Sequence, residues 1–285
     1  MSVIVKARGL TKTYGKSVAL DNVDFDVEAG RIVGLIGPNG AGKTTALKAV
    51  LGLTSFGGSL EVLGLDPMKQ RHRLMKDVCF IADVAVLPRW IRVNQTLDFV
   101  EGVHPKFSRE KAAHFLSRTK IKPRSRVKEL SKGMIAQLHL ALVMAIDARL
   151  LVLDEPTLGL DIIYRKEFYS NLLNDYFDGE RTIIITTHQV EEVEHILTDL
   201  MFINDGKIVL NTSMDEVQER FTEVMVGPDL VEEARAMNPI YEREVFGKIV
   251  FLFDGADPRQ LAELGERHNP SVADLFVATM KGAEA

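Results

Sequence analysis

Between Gly37 and Thr45 the chain reads GPNGAGKTT: three glycines around one Pro and one Asn, then Lys43, Thr44 and Thr45. Gly37 to Thr44 fits G-x-x-x-x-G-K-[ST], a loop suited to phosphate. Several backbone N–H groups must meet phosphate oxygens at once, so side chains there have to be absent. Lys43 can reach the β- and γ-phosphates of a nucleotide, and Thr44 can offer its hydroxyl to Mg²⁺. Pro38, Asn39, Gly40, Ala41, Gly42 and Thr45 complete the candidate set of phosphate contacts.

A second group follows. LLVLDEP ends an apolar run in Asp154 and Glu155, and RTIIITTH ends another in His188. A carboxylate pair on a buried parallel strand emerges at the carboxyl end, where α/β sheets bind ligands. Asp154 would hold Mg²⁺ through water and Glu155 would activate an attacking water. Taken alone, the acidic pair reads equally well as a helix cap after a strand, and His188 as a structural histidine.

These residues need a scaffold that brings loop ends together. RIVGLIG reads as a buried strand before the glycine loop, and TTALKAVLGL as a helix after it, ending near Gly52. That context confirms the motif, because the helix N-terminus adds unpaired donors and a favourable dipole. VCFIA, RLLVLDEP and RTIIITTH are further short apolar runs separated by helical pattern, which implies a parallel, helix-covered sheet. The first ~30 residues alternate and carry turn residues, as an antiparallel flap would. Residues from about 90 to 148 read as mostly helical, with Ser108 an N-cap. MFINDGKIVLN reads as a hairpin turning at Asp205-Gly206. After Asn211 the composition shifts, Ser213 and Glu216 form a capping-box pattern, and the tail reads as a small α+β appendage.

Composition narrows the class. The 285 residues are 46% hydrophobic and 26% charged, as in soluble globular proteins. Net charge is −5 and pI about 5.9, against a chain built mainly to coat nucleic acid. The single cysteine, Cys79, cannot form an internal disulfide, so a reducing compartment and a core position are expected. No segment reaches the ~18 uncharged apolar residues of a membrane span. MSVIVKARGL lacks a secretory pattern, so the chain is not expected to enter a membrane itself.

GPNGAGKTT, LSKGM, LLVLDEP, GLD and TTH occur in the order and approximate spacing of ABC-type ATPases, and the chain resembles a single ABC nucleotide-binding domain over about its first 215 residues. The resemblance implies an α/β P-loop NTPase fold with an antiparallel β flap and a helical subdomain. The domain would span 1–215, with 216–285 as the appendage. ATP and Mg²⁺ are the implied cofactors. Tyr14 should stack on adenine, and Ser131 and Gly133 of LSKGM should contact the γ-phosphate held by a second subunit. Asp161 should touch that partner, His188 should contact the γ-phosphate, and Glu155 should be the base. Lys43 and Thr44 keep their phosphate and metal roles.

The chain also departs from the family. CFIAD places Asp83 where Gln is usual, so Asp83 is a candidate metal ligand. LSKGM has Lys132 and Met134 in place of Gly and Gln, and resembles a variant in ATPase subunits of bacterial antibiotic- and sodium-efflux exporters. Leu158 and Ile162 stand where Ser and Pro are usual. RTKIKPRSRVK could face phosphates, a partner loop or anionic headgroups, or be a solvated basic face. Trp90 could line the groove for a membrane subunit's helix or simply pack. The resulting expectation is an ATPase at the cytoplasmic face of the membrane, bound to separate transmembrane permease subunits and a second ATPase subunit, and driving export. A soluble ABC ATPase acting on DNA or ribosomes is disfavoured, since the ~90 residues between glycine loop and signature lack sustained heptads and only one cassette is present. A regulatory ATP-binding module is disfavoured by the intact Lys43, Asp154, Glu155 and His188.

Overall fold

Two long strands, β1 (Val3–Tyr14) and β2 (Ser17–Glu28), pair antiparallel at the start of the chain. The computed structural model describes residues 2–81, 87–158 and 160–282. β3 (Ile32–Ile36) follows and runs through the glycine loop into helix α1 (Lys43–Val50). β4 (Gly57–Val62) then returns to the free side of β1, giving a flap of order β2-β1-β4. GGSLEV opens on two glycines, residues depleted from strands, so the local sequence gives little reason for a strand there. The reason for one is tertiary: Gly58, at φ +83, lies so close to β1 that a Cβ would stand 2.2 Å from the carbonyl oxygen of Gly9.

A one-turn helix, α2 (Arg71–Leu74), precedes β5 (Val78–Ile81). Helices α3 (Val93–Val103), α4 (Arg109–Ser117) and α5 (Lys132–Met144) make up the helical region. It has its own core, built on Val93, Leu97, Ala112, Leu116, Leu138 and Leu142. Ser108 caps α4 by accepting the Lys111 N–H at 3.3 Å, and Ser131 caps α5 by accepting that of Met134 at 3.2 Å.

β6 (Leu150–Asp154), helix α6 (Ile162–Asn171), β7 (Thr182–Thr187), β8 (Asp199–Asn204) and β9 (Lys207–Ser213) complete the main sheet. Its order is β5-β6-β7-β3-β8-β9, parallel except for the β8–β9 hairpin. β3, β6 and β7 are buried along their whole length, which explains the apolar runs IVGLI, LLVL and III at their centres. The hairpin turns where Asp205 and Gly206 both take positive φ, 44° and 77°, the conformation a two-residue turn requires. Because β3, β6 and β7 are parallel neighbours, the segments that leave their carboxyl ends emerge on one edge.

Cys79, on β5, is buried, and burial pushes its thiol pKa up to about 12. Against an ordinary value of 9.0, that lowers the thiolate fraction at pH 8 about 10³-fold. Ellman's reagent should therefore find no reactive thiol in the native protein and one after denaturation. Rapid native labelling would place Cys79 at the surface.

The tail folds as helix α7 (Met214–Arg220), β10 (Phe221–Val226), helix α8 (Val231–Ala236), β11 (Tyr241–Val245), β12 (Lys248–Asp254), helix α9 (Pro258–Leu264), β13 (Gly265–His268) and helix α10 (Val272–Gly282). The strands form an antiparallel sheet of order β11-β12-β10-β13. The capping box before α7 is half made: Ser213 Oγ accepts the Glu216 N–H at 3.1 Å, while the Glu216 carboxylate takes the Thr212 hydroxyl at 2.7 Å. Ser213 still belongs to β9, paired with Asp199. The tail is packed firmly onto the main sheet. Val272, Leu275 and Ala278 of α10 enter the core of that sheet, and the Phe276 ring meets Phe202 edge to face at 5.2 Å. Fully burying each Val or Leu contributes about 1.5–3 kcal/mol.

Candidate active site

The glycine loop connects β3 to α1 with two glycines whose surroundings leave no room for a side chain. A Cβ on Gly37 would stand 2.3 Å from the Ile203 carbonyl oxygen, and one on Gly42, at φ +111, 2.4 Å from that of Ala19. Gly40 differs: at φ +86 it faces open space. The loop wraps the Lys43 ammonium, whose Nζ donates to the carbonyl oxygens of Gly37 at 2.7 Å and Pro38 at 3.2 Å. Lys43 is 7% exposed. Burial pushes its pKa down, with Glu155 and Asp154 opposing more weakly. The nearest carboxylate oxygen, Glu155 Oε1, is 3.9 Å from Nζ. An ammonium held this way, at the start of a helix, fits a polyanionic phosphate chain.

Asp154 ends β6 and is 3% exposed. Its Oδ1 accepts the Thr186 hydroxyl at 2.7 Å and the Thr44 hydroxyl at 3.2 Å. A carboxylate and a hydroxyl are hard oxygen donors of the kind Mg²⁺ takes, so the residues present fit that ion. Asp83, the other metal candidate, lies outside the described residues.

Glu155 follows with φ +49, a left-handed conformation that costs a non-glycine residue about 1–2 kcal/mol. Thr186 holds it there: the Glu155 N–H meets the Thr186 hydroxyl at 3.1 Å and the Thr186 carbonyl at 3.2 Å. The turn aims the carboxylate at His188, whose Nδ1 is 2.9 Å from Oε2. Thr186 thus grips both acidic residues, a role with no sequence signal beyond its place two residues before His188. A cleft of about 570 Å³ opens here, lined by the glycine loop with Glu155, Leu158 and His188.

The remaining sequence candidates stand outside the described lining of this cleft, each with a local role. Tyr14 is half exposed, its hydroxyl 3.5 Å from Thr54 Oγ1 and Lys12 over its ring. Ser131 caps α5. Asp161 caps α6, accepting the Ile163 and Tyr164 N–H groups at 3.1 and 3.2 Å. Gly133 is covered by Tyr164, whose ring a Cβ would meet at 2.6 Å. Leu158, Ile162 and Ile163 are exposed beside them.

Helix α6 supplies supports the sequence did not reveal. The Arg165 Nε donates to the Leu160 carbonyl at 2.7 Å, and its guanidinium also pairs with Gln189 and Glu192. The buried Tyr169 hydroxyl meets Thr157 Oγ1 at 3.2 Å. Together they tie the loop after Glu155 to the turn after His188.

Residues 20–158 match the family model described as ABC transporter. The chain is 30% identical over 269 residues to the Nod factor export ATP-binding protein I of Cupriavidus metallidurans, spanning 89% of this chain and 87% of the relative. It is 32% identical over 301 residues to the protein of that name from a Rhizobium species, spanning 96% of each. The solved structure of an ATP binding subunit of an ABC transporter superposes with a TM-score of 0.68 at 22% identity, over 76% of this chain and 92% of that one, a likeness of fold. Among the described residues no helix is long and apolar enough to cross a membrane.

Proposed function

The chain belongs to the ATP-binding proteins of ABC transporters, an ATP-hydrolysing family, and from that premise we propose that it powers export by ATP-driven closure and reopening of a dimer at the cytoplasmic face of a membrane. Family membership implies ATP and Mg²⁺ in general, and work with a transmembrane permease and a second ATPase subunit. Export is proposed because the relatives above are named for export. The nucleotide-binding domain is taken as residues 1–215 and the appendage as 216–285.

One observation carries the reading: Lys43, Asp154, Glu155 and His188 converge where β3, β6 and β7 end, with Glu155 between Lys43 and His188. Backbone N–H groups of the loop and the Lys43 ammonium would bind and orient the phosphates. Thr44 and Asp154 would hold Mg²⁺, which supplies charge neutralisation on phosphate oxygens. Glu155 accepts the proton of the attacking water as the bond from γ-phosphorus to the ADP oxygen breaks, and His188 keeps the carboxylate aimed. Ser131, Gly133 and Asp161 would serve the partner subunit's nucleotide, and Tyr14 the adenine.

Arg165 is then a positioning residue. Arg165→Lys keeps the charge but cannot span Leu160, Gln189 and Glu192 at once. Turnover should fall about 10-fold, since a misplacement of about 1 Å can cost up to about 10²-fold in such sites, while KM for ATP and thermal midpoint stay near those of the parent. A raised KM with unchanged kcat would assign Arg165 to binding instead.

The proposed function is tested by recovering a tagged Glu155→Gln chain from gently solubilised membranes with Mg-ATP present. A polytopic membrane protein in stoichiometric amount is expected. Ribosomal or DNA-associated proteins without one would overturn the reading.

A further inference from the structure

Two short segments meet on the exposed side of the helical region, and neither lines the cleft described above. The Lys128 N–H donates to the Arg89 carbonyl, Val127 to Ile91 and Val93 to Ser125, each at 3.0 Å, and Asn94 to Pro123 at 2.9 Å. Arg92 and Arg126 form an isolated antiparallel bridge, and Arg92 Nη1 donates to the Arg124 carbonyl at 2.7 Å. Val93 and Val127 face the core of the helical region, and the extended backbone turns alternate residues outward. Arg89, Arg92, Lys122, Arg124, Arg126 and Lys128 are all exposed, around a Trp90 that is 72% exposed. Neither segment, RWIRVN nor KPRSRVK, contains an acidic residue. Among the described residues none of the six cations joins an ion pair. In a chain of net charge −5, this is a local concentration of positive charge held in place by backbone pairing.

We propose that this face rests on anionic phospholipid headgroups, with Trp90 at headgroup level. Clustered Lys and Arg around an exposed Trp is the composition of protein surfaces at the membrane–water interface. A nucleic acid is served less well, since one aromatic gives it a single stacking place. The contact deepens the proposed function by adding a direct hold on the membrane, and it requires no permease, so the two readings fail separately.

The test is co-sedimentation of the full chain with phosphatidylcholine vesicles, with and without phosphatidylglycerol, at low and high salt. Binding is expected only to the anionic vesicles and should weaken with salt. Each surface cation is worth about 5-fold in partitioning, so the double variant Arg124→Gln/Arg126→Gln should bind at least about 10-fold more weakly. Trp90→Ala should weaken binding at equal charge. Basal ATP turnover and thermal midpoint should be unchanged in both. Three results would overturn the proposal: equal binding to neutral vesicles, unaltered binding by the variants, or short duplex DNA bound more tightly than vesicles through the same residues. Variants that lose a co-purifying permease while the parent ignores vesicles would assign the face to a protein partner, and so overturn it as well.

Discussion

Glu155→Gln should bind ATP normally and turn it over ~10²–10⁴ times more slowly, the usual loss for a positioned general base. That is about 3–5 kcal/mol on the barrier. The amide has the same shape and can keep the contact with His188 Nδ1, 2.9 Å away in the parent. It can also adopt the same left-handed backbone, held by Thr186. What it cannot do is accept the proton of water. The folded structure, the Lys43 environment and the loop should therefore persist, and the ATP-bound dimer should accumulate. Single-turnover phosphate release, with size-exclusion chromatography in Mg-ATP, separates the two effects. Turnover near that of the parent would remove Glu155 as the base and shift attention to His188.

Much of this site was legible in the sequence because its chemistry demands contiguous residues. A phosphate loop must be built from neighbouring backbone N–H groups, so GPNGAGKTT announces itself, and Asp154, Glu155 and His188 sit at or directly after the ends of strands recognisable from their apolar runs. Their supports were not legible. Thr186, Arg165 and Tyr169 act on residues 12 to 32 positions away in sequence, and nothing local in TTH or in the α6 sequence marks such a partner. The fold shows the same division. The parallel core, the helical region and the Asp205-Gly206 hairpin follow from periodicity and turn chemistry. β4 exists because the β1 backbone recruits a glycine-rich segment, and α10 is fixed by Phe202 and the sheet beneath it, both tertiary causes.

Tyr14, Ser131, Gly133 and Asp161 make a different point. The family resemblance names them for nucleotide and partner contacts, and within one chain Ser131 and Asp161 cap helices, Gly133 packs under Tyr164 and Tyr14 lies half exposed beside Thr54. The roles are compatible. A cap fixes the start of α5 or α6, and a fixed helix start is what a partner's phosphate would need.

Lys43→Met should separate binding from folding. The substitution keeps side-chain length and removes the charge. Charge-assisted hydrogen bonds contribute about 1.5–3 kcal/mol each, so loss of one such contact should weaken ATP affinity about 10- to 150-fold. The stabilisation ATP gives the parent, about 2.7 kcal/mol at a hundred times Kd, should fall to about 0.3–1.4 kcal/mol in a thermal scan at the same ATP concentration. The nucleotide-free protein should behave in the opposite sense. Burial depresses the Lys43 pKa in the folded state, so between that value and the ordinary lysine range the unfolded chain binds the extra proton. Stability from this group therefore rises with pH through that window, and below it the buried charge is penalised in full. The variant lacks the penalty. Without nucleotide at neutral pH it should be as stable as the parent or more so, and the parent should close the gap as pH rises into the alkaline range. A clear loss of stability at neutral pH would make Lys43 a strut for the Gly37 and Pro38 carbonyls. Stability retained with ATP binding lost would mean that the loop holds an unfavourable charge in readiness, which becomes favourable when the phosphates arrive.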